Sequence, residues 1–320
     1  MLWGGPDHQR GLMTTRLYTH PIHVEHLTPP GHPERPDRIK FLEAAFADEA
    51  FDDLQRAEAA QSDRDVLLLV HTEDHLRRVV ESIPDEGIVA IDEDTSVSPK
   101  SLEAALTGVG AALEAVDAVF AGEADNVFVA ARPPGHHAEK HRAMGFCLFN
   151  NAAIAARHAQ RVHGVERVAI VDWDVHHGNG TQDIFYDDPT VAYFSTHQMP
   201  LYPGTGALSE TGAGNIFNAP LSPQAGSDHF REAFRTRILP ELDDMHPDLI
   251  IISAGFDAHH RDPLAEINLT ADDFDWATGK IMGVAERRCD NRVVSLLEGG
   301  YDLVGLAESA AVHVTRLMRG

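Results

Sequence analysis

Cysteine is nearly absent: Cys147 and Cys289 are the only two in 320 residues, which excludes a disulfide-stapled fold. Both read as free thiols acting as small core hydrophobes. Basic residues are scarce too, with 26 Lys plus Arg against 50 Asp plus Glu, a formal charge of -24 and a sequence pI of about 5.1. Such a surface repels phosphate over roughly the ~8 Å Debye length of physiological salt, so direct nucleic-acid binding is excluded and cationic ligands are favoured. The same charge also serves solubility. No uninterrupted apolar run approaches the ~20 residues of a membrane span, and no charged-then-apolar leader opens the chain. Nor does a linker, repeat or charge block divide it. These absences predict a soluble, cytoplasmic protein with one domain over 16–320, preceded by a disordered lead over 1–15.

What is present is an alternation of short β-branched runs with longer amphipathic stretches. Strands are expected at Asn126–Ala131, Arg167–Asp172, Val191–Ser195, Asp248–Ser253 and Arg292–Leu297, and helices at Ser98–Phe120, Asn150–His163, Asp228–Met245 and Ala271–Arg288. Helices of that length serve as crossovers between parallel strands, so the pattern predicts an α/β fold with a mostly parallel sheet covered on both faces. Sheets of this kind bind ligands beyond the carboxyl ends of their strands. There the sequence turns polar: Arg132-Pro-Pro-Gly-His136-His137 after one run, and Asp172-Trp-Asp174-Val-His176-His177-Gly-Asn179 after another. Asp257, His259, His260 and Asp262-Pro263 follow a third, and Glu298-Gly-Gly-Tyr301 a fourth.

Alternate side chains of an extended segment share a face, so Asp172, Asp174 and His176 point the same way. Two of them with Asp262 make a carboxylate, imidazole, carboxylate set with an open position, as a catalytic zinc requires. Zinc polarises a carbonyl and lowers the pKa of its water to ~7. Two adjacent imidazoles, His136 and His137, can supply a base for that water and an acid for a leaving nitrogen, because the ordinary histidine pKa of ~6.5 suits both tasks. Asp172 and Asn179 are the partners that would set which ring does which. Tyr301, after two glycines that permit a sharp turn, can donate to a developing oxyanion. The parts together describe amide hydrolysis.

These motifs, with Gly31-His-Pro-Glu-Arg-Pro36, Gly145-Phe146-Cys147 and Tyr202-Pro-Gly-Thr-Gly206, resemble in content and order the histone deacetylase superfamily, across most of the chain. The bacterial class II-like deacetylases and acetylpolyamine amidohydrolases are the branch it looks like, because Asn179 stands where class I enzymes carry aspartate. The resemblance implies a single-domain, arginase-like three-layer α/β/α sandwich. It implies zinc on Asp174, His176 and Asp262, with iron(II) as the alternative ion. His137 would be the principal base and acid, His136 with Asp172 its electrostatic support, and Tyr301 the oxyanion donor. Gly145, Phe146, Tyr202 and Leu269 would line the substrate tunnel, Asp94 would stand at its rim, and Arg38 would line an internal cavity. Asp172, Asp174, His176, Ser195 and Thr196 would hold a structural potassium ion.

Substrates implied are acetyl-lysine peptides or small acylated amines such as acetylpolyamines. A small non-protein amide and a silent acyl-lysine-binding scaffold are the competing readings, and self-association is left open. A dinuclear manganese site of the arginase type is disfavoured, since the Asp262-Pro263 segment lacks a further carboxylate.

Overall fold

The computed structural model describes residues 13–320. Its strands are β1 (Thr15–Tyr18), β2 (Gln55–Ala57), β3 (Val89–Ala90), β4 (Ser96–Val97), β5 (Asn126–Val129), β6 (Val168–Asp172), β7 (Val191–Gln198), β8 (Ile216–Leu221), β9 (Leu249–Ala254) and β10 (Val293–Leu297). The helices are α1 (Asp37–Phe46), α2 (Glu73–Ser82), α3 (Ser101–Ala121), α4 (Asn151–His163), α5 (Asn179–Phe185), α6 (Ser227–Ala233), α7 (Leu239–Asp244), α8 (Ala271–Arg288) and α9 (Leu303–Arg319). Eight strands form one sheet in the order β2-β1-β5-β10-β9-β6-β7-β8, every neighbouring pair parallel. The expected lead of 1–15 is corrected at its end: Thr15 opens β1, and the Met13 amide donates to the Met318 carbonyl at 2.8 Å. Residues 1–12 lie outside the described residues.

Alternation along the buried strands explains the layers. In β9, Ile250, Ile252 and Ala254 pack on one face with α1, α6, α8 and α9, while Leu249 and Ile251 pack on the other with α3 and α4. β6 divides likewise, Ala169 and Val171 against Val168 and Ile170. Strands buried on both faces read as continuous apolar runs, which is why these were visible in the sequence. The expected helix Asp228–Met245 is α6 and α7 joined by a π-helical turn, Phe234–Ile238. Pro240 has no amide to donate, and the Leu239 amide reaches back five residues to the Phe234 carbonyl. By length and composition α3 is apolar enough to cross a bilayer, with 78% of its 18-residue window buried inside the fold.

One buried ion cluster ties the loop before α1 to the sheet. Arg132, just beyond β5, grips both carboxylate oxygens of Glu34, with Nη2 to Oε2 at 2.6 Å, and donates to the His23 carbonyl at 2.7 Å. Arg38 adds a 3.1 Å bond to Glu34 and donates to the backbone carbonyls of Gly300, at 2.7 Å, and Glu298. Burial opposes ionisation of Glu34, but Arg132 and then Arg38 override it and hold the carboxyl below the ordinary range. Such a group contributes stability that is complete above its unfolded value of ~4.3 and is lost as the pH falls towards the folded value. Glu34→Gln should therefore lower the unfolding free energy at pH 7 by ~3–5 kcal/mol, and a loss under ~1 kcal/mol in urea titrations would show that the cluster does not organise this edge. The gap from the parent should close in acid.

Candidate active site

Four neighbouring strands, β5, β10, β9 and β6, end side by side on one edge, spanning roughly 14 Å at ~4.8 Å per strand. The four polar clusters read from the sequence follow these ends, and the fold brings them together. His136 places Nδ1 at 3.0 Å from Asp172 Oδ2, His137 places Nδ1 at 2.8 Å from Asn179 Oδ1, and the two rings stand 4.0 Å apart.

The partners fix the protons. Asn179 Nδ2 donates to Glu139 at 2.7 Å, so Asn179 Oδ1 is the acceptor facing His137. His137 therefore carries its proton on Nδ1 and leaves Nε2 as a lone pair. Burial disfavours charge on both rings. On His136 it is outweighed by Asp174 and then Asp172, which push the imidazole well above its ordinary pKa. On His137 burial is reinforced by charge on His136 and His176, and the ring is held well below.

Beside the pair lies a buried donor set. His176 Nδ1 stands 3.1 Å from Asp174 Oδ1 and 3.1 Å from Asp257 Oδ2. An ion bound at ~2.1 Å from each donor bridges separations of this size, so the set fits a small divalent cation. Crowding supports the fit: burial and then Asp174 push Asp257 up to about 7, and burial pushes Asp262 up to about 6. Both carboxyls are thus held back from ionising, a penalty that a cation beside them would relieve. Asp257 stands here in the tight cluster where the sequence reading put only Asp262. Asp262 borders it and is held by turn amides, with Oδ2 accepting from Tyr301 at 2.7 Å and Oδ1 from Leu264 at 3.0 Å.

Above the donor set is a cavity of about 260 Å³ lined by Asp94, His137, Gly145, Phe146, His176, Leu201, Tyr202, Leu264 and Tyr301. Gly145 has φ +58°, and a Cβ there would lie 2.3 Å from His137 Cδ2, so neither the backbone nor the space admits a side chain. Asp94 accepts from the Gly145 amide at 2.9 Å and so fixes the loop that forms this wall. Burial, followed by the charges of Asp257 and Asp174, keeps the Tyr301 phenol protonated. Leu269 is not in the wall. It is fully buried in the core, with its amide bonded to Ala258, whereas Leu264, aimed by its amide contact with Asp262, lines the cavity.

The residues expected to hold potassium lie at and just past the end of β6 and within β7, where Asp172 and Ser195 are register partners. Burial holds His197 down at about 4, so the ring is neutral. Its Nε2 donates to the Gly206 carbonyl at 3.0 Å, which leaves Nδ1 to accept the Ser195 hydroxyl proton at 2.8 Å. The Ser195 oxygen thus keeps lone pairs that suit a cation. His177, given no role by the sequence reading, bonds Thr205 at 2.7 Å and Gln182 at 3.1 Å and anchors the loop carrying Tyr202. Glu298 was also passed over. It accepts from the amides of Gly135 and His136, at 2.7 and 3.1 Å, and so fixes where the histidine pair begins.

Fold and site together define an α/β/α protein with a buried histidine pair and a cation-fitting donor set at its strand ends. Residues 32–317 match the model of the histone deacetylase domain. A histone deacetylase-like amidohydrolase of Pseudomonas aeruginosa is 43% identical over 279 residues, covering 85% of this chain and 73% of that protein. A probable deacetylase of Archaeoglobus fulgidus is 37% identical over 315 residues, covering 96% and 87%. The crystal structure of the HDA15 HD domain superposes with a TM-score of 0.90 at 36% identity, covering 95% of this chain and 88% of that one. The chain belongs to the histone deacetylase family.

Nitrogen NMR of the imidazoles should show His136 as imidazolium and His137 as the neutral Nδ1–H form at pH 7. Asn179→Asp should move the His137 titration to higher pH, since a carboxylate favours imidazolium. An unmoved midpoint would break the assignment of protons made from the Asn179 contact.

Proposed function

We propose that this protein is a zinc-dependent amidohydrolase that removes an acyl group from an amine, with acetyl-lysine or acetylpolyamine as the substrate class. The observation that carries this reading is the histidine pair, rings 4.0 Å apart, with His136 on the Asp172 carboxylate, His137 on the Asn179 amide oxygen and His137 facing the cavity. Asp174, His176 and Asp262 would hold the ion, zinc or alternatively iron(II). Asp262 is chosen over Asp257 because it is 7% exposed and borders the cavity through Tyr301, whereas Asp257 is 1% exposed and spends Oδ1 on the Val175 amide. Asp257, with Oδ2 3.1 Å from the same His176 Nδ1, would instead add negative charge beside the ion. The bound ion supplies Lewis acidity towards the amide carbonyl and the attacking water.

The chain's own residues supply the rest. His137 Nε2 takes the water proton and returns it to the leaving nitrogen, which its neutral state permits near pH 7. His136, charged and hydrogen-bonded to Asp172, offsets negative charge that develops nearby. Tyr301 donates its phenolic proton to the oxyanion. Phe146, edge-on to Tyr301 at 5.8 Å between centroids, and Leu264 give the cavity apolar walls for a methylene chain. Asp94 at the rim, within a surface of net charge -24, favours a cationic substrate. Potassium at Asp172, Asp174, His176, Ser195 and Thr196 and a cytoplasmic setting belong to the same proposal; the two cysteines are free and buried.

A panel of acetyl-lysine peptides, acetylpolyamines and simple amides, assayed with metal content measured on the same sample, tests the reading. Chelation and Asp174→Ala should abolish turnover, and full activity in a metal-free preparation would reject the mechanism. Tyr301→Phe should lower kcat by ~10²–10³ with metal retained. Asp257→Asn should weaken metal affinity by ~10–100-fold while Asp262→Asn removes the metal outright, and the reverse order would exchange their roles.

A further inference from the structure

On the α3–α4 pair, apart from the residues gathered at the strand ends, a carboxylate and two imidazoles converge. Nε2 of His158 and Nε2 of His163 each stand 2.7 Å from the same oxygen, Oδ1 of Asp117. All three donor atoms lie within 4.8 Å of one another. The imidazoles are largely covered, at 14% and 21% side-chain exposure, and the carboxylate is half open at 50%.

Orientation is built in. Phe120, one turn beyond Asp117 on α3, stacks on the His163 ring with centroids 4.6 Å apart and planes 13° apart. The Arg292 guanidinium covers the Phe120 ring at 5.1 Å and helps fix it. His163 is the last residue of α4, where unpaired carbonyls favour positive charge.

We propose that Asp117, His158 and His163 form a second metal site, independent of the active site, for a borderline divalent ion of the zinc or nickel class. Imidazole donors select such ions over calcium and magnesium, which take oxygen ligands. Ligand distances of ~2.1 Å in a tetrahedral shell put donors ~3.4 Å apart. The present separations, from 2.7 Å to at most 4.8 Å, bracket that value, so small side-chain rotations suffice. The exposed side of Asp117 leaves room for water in the remaining position. An ion held there cross-links α3 to α4 and stabilises the layer behind β5 and β6.

The test is equilibrium dialysis of the full chain against micromolar Zn²⁺, and separately Ni²⁺, with bound metal measured by elemental analysis. The parent should hold one more equivalent than His158→Gln/His163→Gln, and zinc should raise the parent's melting temperature further than the variant's. Any active-site metal is common to both proteins and cancels in the difference. If the double variant does not fold, Asp117→Asn is compared instead and should also lack the extra equivalent. Equal stoichiometry in folded parent and folded variants would overturn the proposal.

Discussion

The active-site edge is governed by how much negative charge the fold buries there. Asp172, Asp174, Asp257 and Glu298 are all at most 1% exposed, and Asp262 is 7% exposed. An unpaired buried carboxylate costs several kcal/mol, so each must be met by donors. The donors come mainly from the backbone just past the strand ends. Amides of Asp174, Val175, His176, Gly299 and Tyr301 point at these oxygens. The turns that follow the strands are therefore shaped around carboxylates, and any shift in strand register would strip several at once.

That dependence explains what the sequence could show. Strands β6, β9 and β10 were legible to within a residue because burial on both faces leaves an unbroken apolar run. β1, β2 and β8 were not, since Gln55-Arg-Ala57 is largely exposed and Pro220 interrupts the edge strand Ile216–Leu221. β1 lies inside the sheet but is only four residues long and carries Arg16, too short a run to stand out.

At the site, residue identity was legible and orientation was not. The spacing Asp172, Asp174, His176 announced one face of an extended segment, and His136-His137 announced a pair. The expectation that Leu269 lines the tunnel differs from the structure because the wall position depends on a turn. The Leu264 amide caps Asp262, which throws that side chain over the cavity, and the later leucine returns to the core. Asp257 carried a signal, an aspartate five residues before Asp262 at the same strand end. Only the 3.1 Å contact with His176 gives it work.

The proton states of the histidine pair follow from acceptors that no local pattern reveals. Two imidazoles 4.0 Å apart cannot both be charged cheaply, so the ring with the stronger acceptors takes the charge. Asp172 and Asp174 give it to His136, and that charge in turn pushes His137 down. Asn179 completes the division: its oxygen pins the His137 proton to Nδ1 without offering a carboxylate's pull, and Glu139, 2.7 Å from the Asn179 amide nitrogen, keeps that oxygen turned inward. The free lone pair on His137 is thus the product of a chain running from Glu139 through Asn179, opposed across the pair by Asp172. Its availability near neutral pH depends on His136 having already taken the proton.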